Sequence, residues 1–581
     1  MNRRKFLGVA AALPLSAHAA WIPAGKIGKA TAIDDASSTT EPLMDRYHLT
    51  LERILHGTGP KYTTEFLLED IHGKKGRRFT NFSGDVSGRW IGALSTASAM
   101  YRVSFPMLDS VVSQVIALQH QEGYFGGGFH FDAPDDNDMA LLWGNGRLLV
   151  GLMEYYEFAK RKDVLLSACK LGDFLDRIGP QFNSSQMATD FDAAHFATSY
   201  ICWTQQIEGL ARLYKATGDA KYLNLGAAIS GRMERRPGDH VHGYLCSLRG
   251  TLELYEITGN KLFLARVETA WGDITHSGDL LITGGVPEAW SPKKLRTEGC
   301  AECDWTRLNL SLWKVTGEGK YLDAAEKAIF NELAMNQFST GDFGHAVLNE
   351  NGTPETVMVR AWWCCTFHGL RVFPDIGRSV FRQKGSEVFY DLPLDGKIES
   401  PGFSARAESR LARDGSIRLL IANNSSNCSL TMRHPHWAQD VSIEVNGKRA
   451  EPSCLANLKA ADVIMVKYRM KLSQSVTDGS DGSIGRLSVH YGPWLLGVSS
   501  ANNREYFNEL EASNALLHVT SKPNIEEVPS LFGVPIAAAV ADYVPAEFPE
   551  QPAQAEFRAV AEQTSTRSSR WQMTFAPMSG L

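Results

Sequence analysis

The stretch Leu312–Leu322, LWKVTGEGKYL, decides the fold. It reads as the close of an amphipathic helix, a glycine free to take the left-handed C-cap conformation, and the opening of another helix. The same grammar stands at Leu213–Leu223, LYKATGDAKYL, and at Leu254–Leu264, LYEITGNKLFL. One helix pair recurring every forty to sixty residues or so predicts an array of αα-hairpins, which either opens into a solenoid or closes into a ring. Outward from these junctions, apolar residues keep helical spacing from about Thr50 to Gln383, as in LLWGNGRLLVGLMEYYEFAKRKD and AECDWTRLNLSLWKVTGEGKYLDAAEKAIFNELAMNQF. A helical region over 43–385 suits a closed ring of about six hairpins, an (α/α)6 toroid. Its aromatic-rich connections, HQEGYFGGGFHFDAPDDND, GGVPEAWSPKK and RAWWCCTFHG, would then gather at one mouth, where Trp and Tyr faces suit sugars.

Past Gly385 the period changes. SIRLLIANNSS, VSIEVNGKRA and DVIMVKYRM are short runs with β-branched alternation, and Asn446-Gly447 is a hairpin turn signal. The chain is thus a multidomain α + β protein, with a β-sandwich expected over 386–500 and further strands and loops over 501–581, where VPAEFPEQPAQAEF is Pro-rich and linker-like.

At 581 residues, 44% hydrophobic and 21% charged with a formal net charge of -6, the chain has the composition of a multidomain globular protein. It carries no basic footprint for nucleic acid. The N-terminus, MNRRKFLGVAAALPLSAHAA, has a basic start, a short apolar run and a small-residue cleavage site at Ala17-His18-Ala19. Its apolar run is too short to span a bilayer. Arg3-Arg4 before Phe6-Leu7 resembles the twin-arginine class of export signals, an ordinary secretory signal being the alternative. Residues 1–19 are therefore expected to be removed, 20–42 to form a loose leader, and the mature protein to be periplasmic or secreted.

Nine cysteines are too few for a disulfide scaffold, and the odd number leaves at least one unpaired. Four fall in two tight groups, Cys300/Cys303 and the adjacent Cys364/Cys365. Neighbouring cysteines do not offer each other unstrained disulfide geometry. In RTEGCAECDW, Glu298 and Cys300 converge only if the chain there is still a turn entering a helix that begins near Ala301. Cys364 and Cys365 would point to opposite faces of a regular strand, so shared ligation calls for a bent loop. Zinc suits several thiolates with one further donor. Two ligand sets are open: Cys300, Cys303, Cys364 and Cys365 as a structural site, or Glu298, Cys300, Cys364 and Cys365. The alternative to both is a set of small buried hydrophobes.

The run EGCA, then TGEGKYLDAAEKAIFNEL, then WWCC resembles the family-127 glycoside hydrolases typified by β-L-arabinofuranosidases. The likeness extends back through TGGVPE to HVHGYLCSLRGTLELYEITG and, faintly, on to VHYGPWLLGV. It implies an (α/α)6 catalytic barrel with β-sandwich domains and Zn2+ held by Glu298, Cys300, Cys364 and Cys365. It further implies Cys364 as nucleophile and Glu288, on the GGVPE turn, as acid/base. His240 or His242 falls where the family places a sugar-contacting histidine. A capping or core role is the alternative for each. His368 could orient a ligand or simply sit in a loop. Trp290, Trp362 and Trp363 are candidates for stacking on sugar, with core packing as the alternative.

There are departures. Where the arabinofuranosidases carry polar sugar contacts, this chain has TSYICWTQQIEGL, so that Thr198 and Gln205 stand in, and the loop from Glu288 to Glu298 is short. Reaction class is then a safer inference than the sugar. The expected function is an exported zinc-dependent retaining glycosidase acting on a carbohydrate substrate. A helical-toroid sugar epimerase or polysaccharide lyase, and a glycan-binding protein with structural zinc, are the competing readings.

Overall fold

A computed structural model describes residues 42–73, 81–192, 194–290, 296–347, 360–450, 454–477, 485–500, 503, 518–519, 524–528, 536–544, 553–561 and 571–575. The expected signal and leader lie outside these apart from Pro42. The described chain divides into two compact units, one formed mainly by 377–469 and the other by the helical region with 470–581.

The junctions that suggested hairpins fold as three copies of one device. Gly218, Gly259 and Gly317 close their helices at φ 72°, 69° and 74°, a conformation that costs a glycine nothing. The threonine before each glycine donates its hydroxyl back to the carbonyl four residues earlier, at 2.7, 2.6 and 2.8 Å from Thr217, Thr258 and Thr316. The same oxygen accepts the N–H two residues on, from Asp219, Asn260 and Glu318. Asp219 and Asn260 then cap the next helix by accepting from Lys221 and Leu262.

Six helix pairs make the ring. They are Asp85–Tyr101 with Pro106–Ala117, Asp136–Ala159 with Lys162–Phe182, Ile207–Thr217 with Ala220–Ser230, Val241–Thr258 with Lys261–His276, and Gly299–Thr316 with Gly319–Phe330. The sixth, which brings the ends of the helical region together, is Pro42–His56 with Trp363–Val380. Tyr47 meets Phe373 edge-on with centroids 5.9 Å apart, and Arg53 holds Asp342 at 2.8 Å. The first helix of the second and fourth pairs is sheathed on every side: Asp138 to Met153 and Val241 to Leu252 are buried without a break. That continuous burial marks inner helices, whereas Lys162–Phe182 buries one face.

The unit over 377–469 holds two sheets. One is six-stranded, in the order Lys448–Ala450, Asp440–Val445, Val463–Arg469, Ser416–Asn424, Phe403–Arg410, Gly396–Ser400, and the other is four-stranded. Asn446 and Gly447, both at positive φ, make the expected hairpin turn. The strands Leu472–Thr477, Arg486–Tyr491 and Trp494–Ser499, read from sequence as the end of the sandwich, instead join Ala553–Ala559 and Ile536–Val544 in an eight-stranded sheet. Strand patterning alone does not say which sheet a strand enters. This sheet shares a core with the ring through Leu281, Ile282, Met335, Leu495, Val560, Trp571 and Met573. Asn331 fastens it further, donating to the Pro493 carbonyl at 3.0 Å and accepting from Leu495 N at 2.7 Å.

Candidate active site

Glu298 ends the short strand Arg296–Glu298 and is the N-cap of the helix Gly299–Thr316, so Cys300 sits in that helix's first turn. The helix begins two residues earlier than expected and is entered from a strand instead of a turn, so Glu298 and Cys300 converge across the N-cap. The adjacent cysteines correct the sequence reading. They occupy no bent loop but the first turn of the helix Trp363–Val380, where consecutive side chains diverge by about a quarter turn and both can face one point.

Glu298, Cys300, Cys364 and Cys365 offer donor atoms that all lie within 4.8 Å of one another, and all four residues are buried. Cys300 Sγ is 3.7 Å and Cys364 Sγ 3.8 Å from Cys365 Sγ. Glu298 Oε1 is 3.9 Å from both Cys364 Sγ and Cys365 Sγ. A disulfide needs sulfurs about 2 Å apart, and all nine cysteines are free. Bonds of about 2.3 Å from a tetrahedral metal ion would set its sulfur ligands about 3.8 Å apart, which is the spacing found. Burial drives the three thiols well above their ordinary pKa. Burial, then the neighbouring Glu288, pushes the Glu298 carboxyl up to about 8. Four crowded acids held neutral this way suit a divalent cation that releases their protons. Cys303, though fully buried, is outside the group, so the all-cysteine set is not the one assembled.

Arg89, unsuspected from sequence, brings a guanidinium to the cluster. Its Nη1 donates to Cys300 Sγ at 3.5 Å while its Nε donates to Asp85 Oδ1 at 2.6 Å. Trp143 Nε1 also donates to Asp85, at 3.3 Å. The available signal was an arginine four residues after an aspartate in a helix of mostly small and apolar residues, because a buried arginine must find a partner.

Glu288 lies on extended chain stitched on both sides. Its N–H donates to the Arg296 carbonyl at 2.8 Å, and its carbonyl accepts from Val241 N at 3.0 Å. This sets the turn between the His240 segment and the Glu298 strand. The Glu288 carboxyl is 7% exposed as part of its residue, accepts from Arg296 Nε, and has His345 Nδ1 at 3.9 Å. Burial raises its pKa and Arg296 opposes the rise.

The two histidines separate. His240, the N-cap of Val241–Thr258, places Nε2 3.3 Å from Glu298 Oε2 and lies between Trp143 and Phe196, each with its centroid 5.2 Å away. Its Nδ1 is buried without a hydrogen-bond partner among the described residues. His242 is fully buried and bound to Asp304 Oδ2 at 2.6 Å. His368, one helical turn beyond Cys364, reaches the other Asp304 oxygen at 2.9 Å. Burial alone would raise Asp304, but His368, His242 and Arg249 outweigh it and hold the carboxyl well below the usual range. These groups satisfy one another and brace the ligand helices from behind.

Gln205 is sealed in, its amide donating to the Trp143 carbonyl at 3.2 Å. Thr198 donates to the His195 carbonyl. Trp290 is buried against Tyr244, with the Arg235 guanidinium 5.1 Å above its ring. Trp362 and Trp363 are half-buried, Trp362 beside His345 and Trp363 beside Phe367. Of the long aromatic connection, Tyr124, Phe129 and Phe131 pack on Phe174 instead of lining a mouth. No helix among the described residues is long and apolar enough to cross a membrane.

Comparison with known proteins agrees with this fold. The sequence matches the family model of the β-L-arabinofuranosidase GH127 catalytic domain over residues 72–378 and that of the GH127 middle domain over 389–462. Among solved structures, a GH127 β-arabinofuranosidase is similar with TM-score 0.71 at 18% identity, over 92% of this chain and 94% of that one. A GH127 β-L-arabinofuranosidase from Geobacillus stearothermophilus T6 is similar with TM-score 0.70 at 16% identity, over 94% and 100%. At such identities the likeness is one of fold. No match was found among curated proteins.

Proposed function

This chain belongs to glycoside hydrolase family 127, and from that premise we propose that it is an exported, zinc-dependent glycosidase that removes terminal sugars with retention of configuration. The single observation that carries the reading is the cluster of Glu298, Cys300, Cys364 and Cys365. Of its three thiols only Cys364 keeps any exposure, 7%, while Cys300 and Cys365 are sealed at 0%. That accessibility supports Cys364 in the role of nucleophile. Zn2+, when bound by these four residues, would keep the thiols ionised and oriented near neutral pH.

The chain's own residues carry the steps. The Cys364 thiolate attacks the anomeric carbon as the bond to the leaving oxygen breaks, and Glu288 hands its proton to that oxygen. Water then attacks the same carbon, Glu288 takes its proton, and the carbon–sulfur bond breaks with its electron pair returning to Cys364. Two inversions give retention, with a thiolate in place of the usual second carboxylate. His240, whose Nε2 lies beside Glu298 and whose buried Nδ1 has no partner among the described residues, offers the sugar a hydrogen bond. Trp290 and Trp363 supply apolar flanks, whereas the sealed positions of His242 and Gln205 suit a supporting role better than direct contact.

A panel of aryl furanosides and pyranosides, assayed with and without chelator, tests the reading. β-L-Arabinofuranosides are the first members to try because the matched family model is named for them. Cys364→Ala and Glu288→Gln should each cost at least about 100-fold in turnover, while Cys303→Ala stays active. Sugar binding without cleavage by the wild type would favour a glycan-binding protein with a structural ion. Export through the twin-arginine route completes the proposal, and persistence of export after Arg3-Arg4 is changed to Lys-Lys would refute that part.

A further inference from the structure

The turn over 283–286, which delivers Glu288, is fastened at three of its four residues to buried side chains. Thr283 Oγ1 donates to Glu332 Oε2 at 2.5 Å. The Trp305 indole N–H donates to the Gly284 carbonyl at 3.1 Å. Val286 N–H donates to Glu302 Oε1 at 3.0 Å and lies 3.4 Å from Oε2. Gly285 has no room for a side chain, since a Cβ there would fall 2.3 Å from Glu332 Cγ and 2.5 Å from Glu302 Oε2.

Glu302 and Trp305 stand on the helix Gly299–Thr316, whose first turn carries Cys300 and whose N-cap is Glu298. Both side chains are completely buried. A sealed carboxyl is a costly way to fill space that an apolar side chain would fill as well. It earns its place only by what it bonds, and Glu302 bonds the backbone N–H two residues ahead of Glu288. One rigid helix therefore carries two of the four cluster residues, Glu298 and Cys300, at its N-terminus and, through Glu302 and Trp305, holds the turn that bears the acid/base.

We propose that Glu302 and Trp305 are positioning residues that fix where the Glu288 carboxyl stands relative to Cys364. The inference rests on the assignment of Glu288 as acid/base. It goes beyond that assignment by naming what holds the carboxyl at the leaving oxygen. Loss of the Glu302 tie frees the turn, and misplacing a reacting group by about 1 Å can cost on the order of 100-fold.

The test is a series of aryl glycosides of one accepted sugar, graded from poor to activated leaving groups, with bound zinc measured alongside. Glu302→Leu should lower kcat/KM about 100-fold on poor leaving groups but less than about 5-fold on a dinitrophenyl glycoside, which needs little proton donation. Added azide should restore turnover on the activated substrate, bound zinc should stay unchanged, and Glu302→Gln, which keeps an acceptor oxygen, should recover most of the loss. A uniform loss along the series, or loss of zinc, would overturn the proposal. If Glu302→Leu does not fold, Trp305→Phe, which removes only the tie to Gly284, should show the same slope in weaker form, and a flat series for it would equally overturn the proposal. Glu288→Ala is measured in parallel. A flat series for Glu288→Ala would instead overturn the acid/base assignment on which the proposal stands.

Discussion

Glu288 is caught between two opposing influences. Burial pushes its carboxyl toward the protonated form, and the Arg296 guanidinium pulls it back toward the anion. In its proposed role of general acid Glu288 works only while protonated, so kcat/KM should fall as pH rises through its pKa. Removing a positive charge destabilises the carboxylate, which raises that pKa. Arg296→Gln should therefore move the basic limb of the kcat/KM profile to higher pH, while bound metal stays constant. The measurement is the pH profile on a substrate with a poor leaving group. A limb that stays put, or moves to lower pH, would show that the guanidinium does not act on the reacting acid.

The elements explain what was legible in the sequence and what was not. The hairpin junctions were legible because each is local, with threonine, glycine and the next cap inside four residues. The gathering of Glu298, Cys300, Cys364 and Cys365 was legible through its motif, as the first two are two residues apart and the last two adjacent. The helix under Cys364-Cys365 was not, because two tryptophans and two cysteines have no marked helix preference and tertiary packing decides. Arg89 was still less accessible, since it meets Cys300 across 211 residues. What brings it there is helix packing: Gly88 leaves no room for a Cβ, which would lie 2.4 Å from Leu148 Cα, and Gly151 is equally tight against the Gly88 carbonyl. The two inner helices Asp85–Tyr101 and Asp136–Ala159 thus touch backbone to backbone, an approach only small residues permit. Each of the two glycines is unremarkable in sequence, and their pairing exists only in the fold. The same holds for Glu302, whose partner Val286 lies 16 residues earlier.

For the whole molecule, the C-terminal sheet has a role that its weak patterning concealed. Trp571, Val560 and Leu495 bury Leu281 and Ile282, and these two residues lead directly into the turn Thr283–Val286. The sheet therefore supports the segment that leads to Glu288, in addition to the tie made by Glu302. Removing a buried tryptophan side chain costs about 3–5 kcal/mol, and here part of that loss should appear as local loosening of the turn. In Trp571→Ala, amide hydrogen exchange should quicken over 281–286 as well as in the sheet, with kcat/KM reduced and bound metal retained. Phe575→Ala provides the comparison, because Phe575 packs on Phe557 within the same sheet and lies outside that shared core. It should lower the melting temperature without quickening exchange over 281–286. If Trp571→Ala leaves exchange there at the wild-type rate, the sheet stabilises the protein without supporting the acid/base turn.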